Sequence, residues 1–181
     1  LSLHLRHMPG GYFTDHVFST LKERDIVRIE GPQGSFFLRE DSDKPIILLA
    51  SGTGFAPIKA IVEQLIHLES RRPVHLYWGG RRPQDLYMHL VCLEWASTLA
   101  NFNYIPVISD PLTEDQWQGR SGFVHHAVYT DHADLSGFEV YACGAPIMGE
   151  SAKRDFIAQY SLPADAFFAD SFTSEADLAQ K

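Results

Sequence analysis

The chain has 181 residues, of which 45% are hydrophobic and 21% charged, and its formal net charge at pH 7 is -8. This composition is that of an ordinary globular protein, and the length favours one domain or one domain plus part of another. The acidic balance argues against a nucleic-acid partner, and no apolar run approaches the roughly 20 residues that a membrane-spanning helix needs.

Residues 1–42 have the texture of an antiparallel sheet. The stretches LSLHLRH and DIVRIEG alternate apolar and polar residues, as half-exposed strands do, and GPQGSFFL supplies a turn into a third strand. Three strands with open edges cannot close a barrel. We therefore predict that residues 1–42 are the last part of a larger antiparallel β-barrel domain, and we expect a further segment to precede Leu1.

From residue 43 to residue 181 short apolar runs alternate with amphipathic segments. The apolar runs are PIILLA, VHLYW, YIPVIS, FEVYACG and AFFAD, and helical patterns lie between them. Each run lacks polar alternation, as strands covered by helices on both faces do. The predicted fold class of residues 43–181 is therefore α/β, with a doubly wound sheet of five parallel strands.

The stretch SGTGFAP follows the first predicted strand, where a doubly wound sheet commonly binds its ligand. Its glycines permit a close backbone approach, and its proline suits the first helical turn, where a missing N–H costs nothing. This turn could cradle a pyrophosphate at a helix start. The alternative is a strand–helix connection that needs glycine for geometry alone. The candidate ligands here are Gly52, Thr53, Gly54, Ala56 and Pro57.

The turns after the second and third strands carry groups that suit a dinucleotide. In YWGGRRPQDLY, Gly79 allows a tight turn and Arg81 or Arg82 can reach an anionic group, although an arginine pair alone is usually a solvated surface. In ISDP, Ser109 and Asp110 fall where a ribose would bind. A carboxylate there accepts hydrogen bonds from ribose hydroxyls and repels a 2′-phosphate. The structural alternative is an Asp-Pro turn.

The turn after the fourth strand is YACGAPIM, in which Cys143 ends the strand and Gly144 opens the turn. A cysteine at this place is either a small buried hydrophobe or a neighbour of a reactive ring. The sequence contains no G-x-S-x-G elbow and no identifiable base for Cys143, so hydrolysis is not predicted. The histidines lack metal-ligand spacing, and two cysteines cannot hold a two-iron cluster, so no metal site is predicted. Two cysteines without a secretory signal favour a cytoplasmic protein.

Together GTGFAP, YWGGR…DLY, the W-x-G-R-x-G-x-V run from Trp117 to Val124, and YACGAPIM resemble the ferredoxin–NADP reductase superfamily. The resemblance is to NADH-dependent reductase components of bacterial ring-hydroxylating and phenol-type oxygenases and to the glucoseen reductase of dideoxysugar synthesis. In the family's NADPH-specific members a basic residue follows the serine, so Asp110 favours NADH over NADPH. Besides the SGTGFAP residues, the resemblance implies these coenzyme ligands: Gly79, Arg81, Ser109, Asp110, Cys143, Gly144, Pro146 and Met148.

The front segment is similar to the end of the family's flavin-binding barrel. The resemblance implies that FAD pyrophosphate lies at the start of a short helix. The alternative is a glycine turn in which Thr14 caps the helix. The implied FAD ligands are Gly10, Gly11, Tyr12, Phe13 and Thr14.

The activity implied by the resemblance is a flavin-dependent oxidoreductase that passes a hydride from NADH to FAD and electrons onward to an iron–sulfur protein or an oxygenase. Cys143 and Phe172 are the implied catalytic residues, with Cys143 beside the nicotinamide and Phe172 near the flavin ring; Phe172 could equally be a last core side chain. The family's R-x-Y-S flavin motif is not found in the sequence. The alternative is therefore a non-catalytic nicotinamide-binding module or an inactive fragment without the flavin site.

Overall fold

The computed structural model describes residues 1–172, so the tail 173–181 of the predicted second domain lies outside the described residues. The chain divides into two compact units, Leu1–Ser35 and Phe36–Lys181. The first unit contains helix α1 (Tyr12–Ser19). The three strands predicted before residue 43 are not formed in the described residues. A strand requires a hydrogen-bonded neighbour, and alternation alone does not supply one.

The second unit carries a sheet covered by helices. All strands of the sheet are parallel, and their order is β4-β3-β2-β1-β5-β6. The predicted doubly wound parallel α/β sheet is therefore confirmed. In chain order the elements are β1 (Ile46–Ser51), α2 (Phe55–His67), β2 (Val74–Gly80), α3 (His89–Thr98), β3 (Phe102–Ile108), β4 (Arg120–Ser121), α4 (Val124–Asp131), β5 (Glu139–Gly144), α5 (Pro146–Gln159) and β6 (Phe167–Ser171).

The sheet within the described residues has six strands rather than the five predicted. The additional strand is β4, which is two residues long and exposed, so it has no apolar run by which a sequence pattern could detect it. Arg120 of β4 donates a hydrogen bond to Asp131 Oδ1 over 2.6 Å. The Tyr77 hydroxyl donates to the other oxygen of the same carboxylate over 2.8 Å. These bonds fasten the short strand to α4 and β2.

The core lies on both faces of the sheet because alternate side chains of a strand point to opposite sides. In β1, Leu48 and Ala50 join the apolar cluster under α2 and α3, whereas Ile47 and Leu49 join the cluster under α4 and α5. All four side chains are fully buried, which identifies β1 as the central strand. Among the described residues, none of the helices has the length and apolar character needed to cross a bilayer.

A buried ion pair lies at the amino-terminal end of the sheet. Arg72 Nη2 donates to Glu139 Oε2 over 2.7 Å, and both side chains are more than nine-tenths buried. The same guanidinium donates to the main-chain carbonyls of Arg39 and Lys44 at 2.9 and 2.6 Å. The Tyr141 hydroxyl donates to Glu139 over 3.0 Å. These bonds satisfy both buried charges and fix the segment before β1 to the sheet.

Candidate functional site

The strand order reverses at β1. The chain passes outward from β1 through β2 and β3 to β4 and then returns to place β5 on the other side of β1. Such a switch point leaves a crevice between the loops that follow the two central strands. Because the strands are parallel, the four turns named in the sequence analysis all lie along the carboxyl-terminal edge of this sheet.

The turns after β1 and β5 are in direct contact. Gly54 is buried, and a Cβ atom on it would collide with the carbonyl group of Cys143. Gly144 has a φ of 139°, and a Cβ atom there would collide with Ser51. The Ser51 hydroxyl accepts a hydrogen bond from the amide N of Ala145 over 3.0 Å. The two turns therefore pack against each other through their main chains at the switch point, and neither glycine has room for a side chain. We call this backbone-lined junction the cradle.

The first turn, Gly52–Gly54, is a single 3-10 turn that runs directly into α2. Gly52 has a φ of 53°, a left-handed conformation that glycine tolerates without strain. Its carbonyl O accepts a hydrogen bond from Trp78 Nε1 over 3.3 Å. The N–H of Phe55, the first residue of α2, donates to carbonyls of this turn, so the turn and the helix form one continuous helical end. The helix dipole favours an anion such as a pyrophosphate at this end. The other candidate ligands of this turn are partly exposed: Thr53, Ala56 and Pro57.

The turns after β2 and β3 are joined by their main chains and by a side-chain pair. The amide N atoms of Ser109 and Asp110 donate to the carbonyls of Gly80 and Arg81 over 2.9 and 3.2 Å. Arg81 Nε lies 3.2 Å from Asp110 Oδ2, and the two side chains are 75% and 53% exposed. The structure thus brings together three candidate ligands, Arg81, Ser109 and Asp110, on a solvent-facing part of the edge.

Two candidate ligands lie beneath this edge. Gly79 is buried, and a Cβ atom on it would approach Val124 Cβ to 2.8 Å, so this glycine lets α4 pack closely on β2. Met148 is buried in the apolar cluster shared by the sheet and α5. Both residues therefore belong to the packed interior under the turns and not to their exposed surface.

Cys143 is fully buried, and its side chain belongs to the apolar cluster that contains Phe55 and Trp78. Burial raises the pKa of the thiol to about 12, and the nearby Asp170 carboxylate acts in the same direction. The thiol is therefore protonated at neutral pH, a state in which it is not a nucleophile. The carbonyl group of Cys143 borders the cradle through its contact with Gly54. A contact between Cys143 and a nicotinamide ring stays a prediction.

The end of β6 brings Phe172 to the same edge. Its amide N donates to the carbonyl O of Gly144 over 3.0 Å, which continues the pairing of Gly144 with Ser171. The Phe172 side chain is 43% exposed, so it is not a core side chain. Pro146, partly exposed, is the first residue of α5 next to the same turn. Phe172 and the turn after β5 are therefore neighbours, as a shared role at a cofactor requires.

Sequence reasoning missed Phe123, an aromatic side chain in the loop between β4 and α4 that is 63% exposed. The preceding Gly122 donates its N–H to the carbonyl O of Ile108 over 3.0 Å, which holds this loop at the end of β3. An exposed aromatic ring at a ligand-binding edge offers a flat face to a base. Phe123 occupies an unspecified position of the W-x-G-R-x-G-x-V pattern, so only its exposure distinguishes it. Ser51 was also missed, because the partner of its hydroxyl is distant in sequence.

In the first unit, polar groups of the turn proposed for FAD hydrogen-bond to one another. Gly10 N–H donates to Asp15 Oδ2 over 3.0 Å, and the other oxygen of this carboxylate lies 2.7 Å from His7 Nε2. The Thr14 hydroxyl donates to the carbonyl of Met8 over 2.9 Å. A carboxylate therefore stands at the start of α1, where a pyrophosphate was expected, and FAD would have to displace it. Contacts to FAD stay a prediction for Gly10, Gly11, Tyr12, Phe13 and Thr14.

Comparison with known proteins places this arrangement in a family. Residues 48–154 match the family model of the oxidoreductase NAD-binding domain. The chain is 45% identical over 172 residues to the CDP-6-deoxy-L-threo-D-glycero-4-hexulose-3-dehydrase reductase of Yersinia pestis, a match that covers 95% of this chain and 51% of that protein. It is 36% identical over 174 residues to terephthalate 1,2-dioxygenase reductase component 1 of Comamonas sp, with 96% and 51% covered.

A solved structure shows the same likeness. The crystal structure of a cytochrome P450 reductase from Amycolatopsis is similar to this chain with a TM-score of 0.86 and 32% identity, over 95% of this chain and 52% of that one. The chain thus spans about half the length of the relatives that it matches. The resemblance to reductase components that the sequence predicts is confirmed.

Proposed function

This chain belongs to the oxidoreductase NAD-binding domain family, and we propose that the cradle between the turns after β1 and β5 binds the pyrophosphate and nicotinamide of NADH. The observation that carries this proposal is the approach of Gly54 to the carbonyl group of Cys143, which only a residue without a side chain allows. The start of α2 lies at the same place, and its dipole favours a bound anion.

The proposed ribose and adenine contacts lie farther along the edge. The Asp110 carboxylate, about half exposed, accepts hydrogen bonds from the ribose hydroxyls and repels an added 2′-phosphate. The exposed ring of Phe123 offers the adenine an apolar face. Of these two side chains, Asp110 supports a preference for NADH over NADPH, because the adenine is the same in both coenzymes. Replacing Asp110 with arginine and measuring the affinity for both coenzymes tests it, and an unchanged preference would contradict the assignment.

For the whole protein we propose an NADH-dependent reductase. The relatives named above are reductases, and one is a component of a dioxygenase. Bound NADH would supply a hydride for FAD, and the electrons would pass to an iron–sulfur protein or an oxygenase. The proposed contribution of this chain is alignment, with Cys143 and Gly144 as neighbours of the nicotinamide and Phe172 as the neighbour of the flavin ring.

Titration with NADH tests the binding step. Trp78 donates to the Gly52 carbonyl, so tryptophan fluorescence reports on the cradle. Saturable quenching by NADH, with a weaker response to NADPH, is expected. If the protein is folded by circular dichroism and NADH produces neither quenching nor heat in calorimetry, the proposal is wrong.

A second candidate function is a nicotinamide-binding module without catalysis. This function is favoured by the Asp15 carboxylate, which accepts the N–H of Gly10 in the turn that is expected to hold FAD. Adding FAD and then NADH to the protein separates the two functions. Bleaching of the yellow flavin absorbance supports the reductase. NADH binding without any bleaching supports the module.

A further inference from the structure

Arg81 and Asp110 stand at the ends of neighbouring strands, β2 and β3, at the proposed ribose contact. Arg81 Nε lies 3.2 Å from Asp110 Oδ2. Their main chains are also joined, because the Asp110 N–H donates to the Arg81 carbonyl over 3.2 Å. The backbone therefore holds the two side chains as neighbours even when the ion pair is broken.

The guanidinium of Arg81 is only partly used. An arginine carries five N–H donors, and the Asp110 carboxylate receives the one on Nε. Within residues 1–172, the Nη atoms of Arg81 have no hydrogen-bond partner. The main-chain N–H of Arg81 donates to Asp85 Oδ2 over 2.9 Å, which fixes the backbone of this turn. The Nη atoms thus lie at the proposed ligand-binding edge, where their N–H groups can donate to a ligand.

Arg82, the next residue, already pairs with a carboxylate of the protein. Its Nη1 lies 3.3 Å from Asp115 Oδ2, and the two side chains are only 21% and 15% exposed. The same carboxylate oxygen accepts the N–H of Leu112 over 2.8 Å. Of the two neighbouring arginines, Arg81 is therefore the one available to an anionic ligand.

We infer that Arg81 is a latent phosphate-binding residue that Asp110 blocks, so that the coenzyme preference belongs to the pair and not to Asp110 alone. This inference rests on the proposed function. The Asp110 carboxylate neutralises Arg81 and repels a 2′-phosphate. Without that carboxylate, Arg81 stays charged and its planar fork can bind the phosphate through two donors. Since exposed ion pairs contribute little to stability, the protein tolerates the loss of Asp110.

A double-mutant cycle tests the inference. The variants are Asp110→Asn, Arg81→Gln and the double variant, and the dissociation constants of NADH and NADPH are measured by titration. Asp110→Asn is expected to bind NADPH about tenfold more tightly than the wild type, the size of one charge-assisted hydrogen bond. The double variant is expected to lose this gain.

The matched control is Arg154→Gln in the Asp110→Asn background. Arg154 is nearly as exposed as Arg81, at 71% against 75%, and it also pairs with a carboxylate, Asp155, at 2.8 Å. This control is expected to keep the full gain for NADPH, which shows that the effect is local to Arg81 and not a result of net charge.

Two results would overturn the inference while leaving the proposed function intact. One is an Asp110→Asn variant that binds NADH but gains nothing for NADPH. The other is a gain that survives in the double variant, because repulsion by Asp110 alone then explains the preference. If the wild type binds neither coenzyme, the proposed function itself fails and the inference fails with it.

Discussion

Gly54 lies against the main-chain carbonyl group of Cys143 so closely that a side chain cannot fit between them. The contact joins the loop after β1 to the end of β5 across the switch point of the sheet. Gly54 has a φ of -58°, a conformation open to any residue, so the reason for a glycine is space and not backbone freedom. The narrowest point of the proposed coenzyme site therefore depends on one missing methyl group.

Replacing Gly54 with alanine is expected to damage both stability and binding. The new methyl must push β5 away from the turn, and overpacking of this kind costs about 1–3 kcal/mol. Denaturant unfolding and NADH titration measure the two effects. Gly137→Ala is the control, because no atom lies within 4 Å of its Cβ position. A Gly54→Ala protein with wild-type NADH affinity would show that the cradle is not the binding site.

Replacing Phe123 with alanine is expected to weaken NADH binding without unfolding the protein. The ring is 63% exposed, so its loss changes the free energy of unfolding by only about 0.5 kcal/mol. Stacking of a base on an aromatic side chain contributes about 1–3 kcal/mol in other complexes, so the dissociation constant should rise about fivefold or more. Leu90→Ala on α3, where the side chain is 78% exposed, should leave binding unchanged. Equal NADH affinities in the Phe123→Ala and Leu90→Ala variants would contradict the proposed adenine contact.

The thermal stability of the protein is expected to fall as pH drops below about 6.5, the ordinary histidine pKa. Burial lowers the pKa of His75, His125 and His132, and nearby imidazoles lower it further for His75 and His125. The unfolded chain therefore takes up protons at a higher pH than the native protein. The native state has its full stability above the unfolded pKa and loses it as pH falls from there towards the lowered value. Melting temperatures between pH 8 and pH 5 measure the effect.

His132 allows a specific version of the pH experiment. Within the described part of the chain, His132 Nε2 is the buried side-chain polar atom without a hydrogen-bond partner. His132→Leu removes an imidazole that resists protonation, so the slope of stability against pH should become shallower. His67→Gln, at an exposed position, is the control and should keep the wild-type slope. Identical slopes in all three proteins would contradict the assignment.

The ion pair of Arg72 and Glu139 is expected to matter for stability alone. Arg72→Met leaves a buried carboxylate without its partner, which costs about 3–5 kcal/mol. Replacing Glu139 with leucine as well should recover part of this loss, because two apolar groups then replace two charges. Since the pair lies at the amino ends of the strands, NADH affinity of the folded protein should not change. A double variant no more stable than Arg72→Met would contradict this account.

The sheet and the gathering of the four turns along one of its edges were predictable for a simple reason. The central strand contains an uninterrupted apolar run, the fully buried Ile47 to Ala50, and parallel strands place their carboxyl ends together. Strand β4 and the front segment were not predictable from pattern. Arg120 is held in a strand by Asp131, a partner in another element. The alternation at the front of the chain was insufficient, because a strand also needs a neighbour.

The detail of the site depends on packing between distant segments. Gly54 and Gly79 each belong to a pair of glycines at the end of a strand, but Gly54 meets the Cys143 backbone and Gly79 meets the Val124 side chain. Only the assembled sheet separates the glycine that shapes the crevice from the one that lets a helix pack. In the turn similar to the family's flavin site, Asp15 was the one residue whose charge argued against a bound phosphate. In the structure its carboxylate accepts a hydrogen bond from the N–H of Gly10.

Amide chemical-shift mapping of isotope-labelled protein during NADH titration tests the central claim most directly. If NADH binds at the carboxyl-terminal edge of the sheet, the largest changes in amide chemical shift are expected at Gly52, Gly54, Asp110 and Gly144. Little change is expected around Arg72, at the opposite end of the sheet. Shifts that cluster at the amino ends of the strands, or no shifts at saturating NADH, would contradict the account.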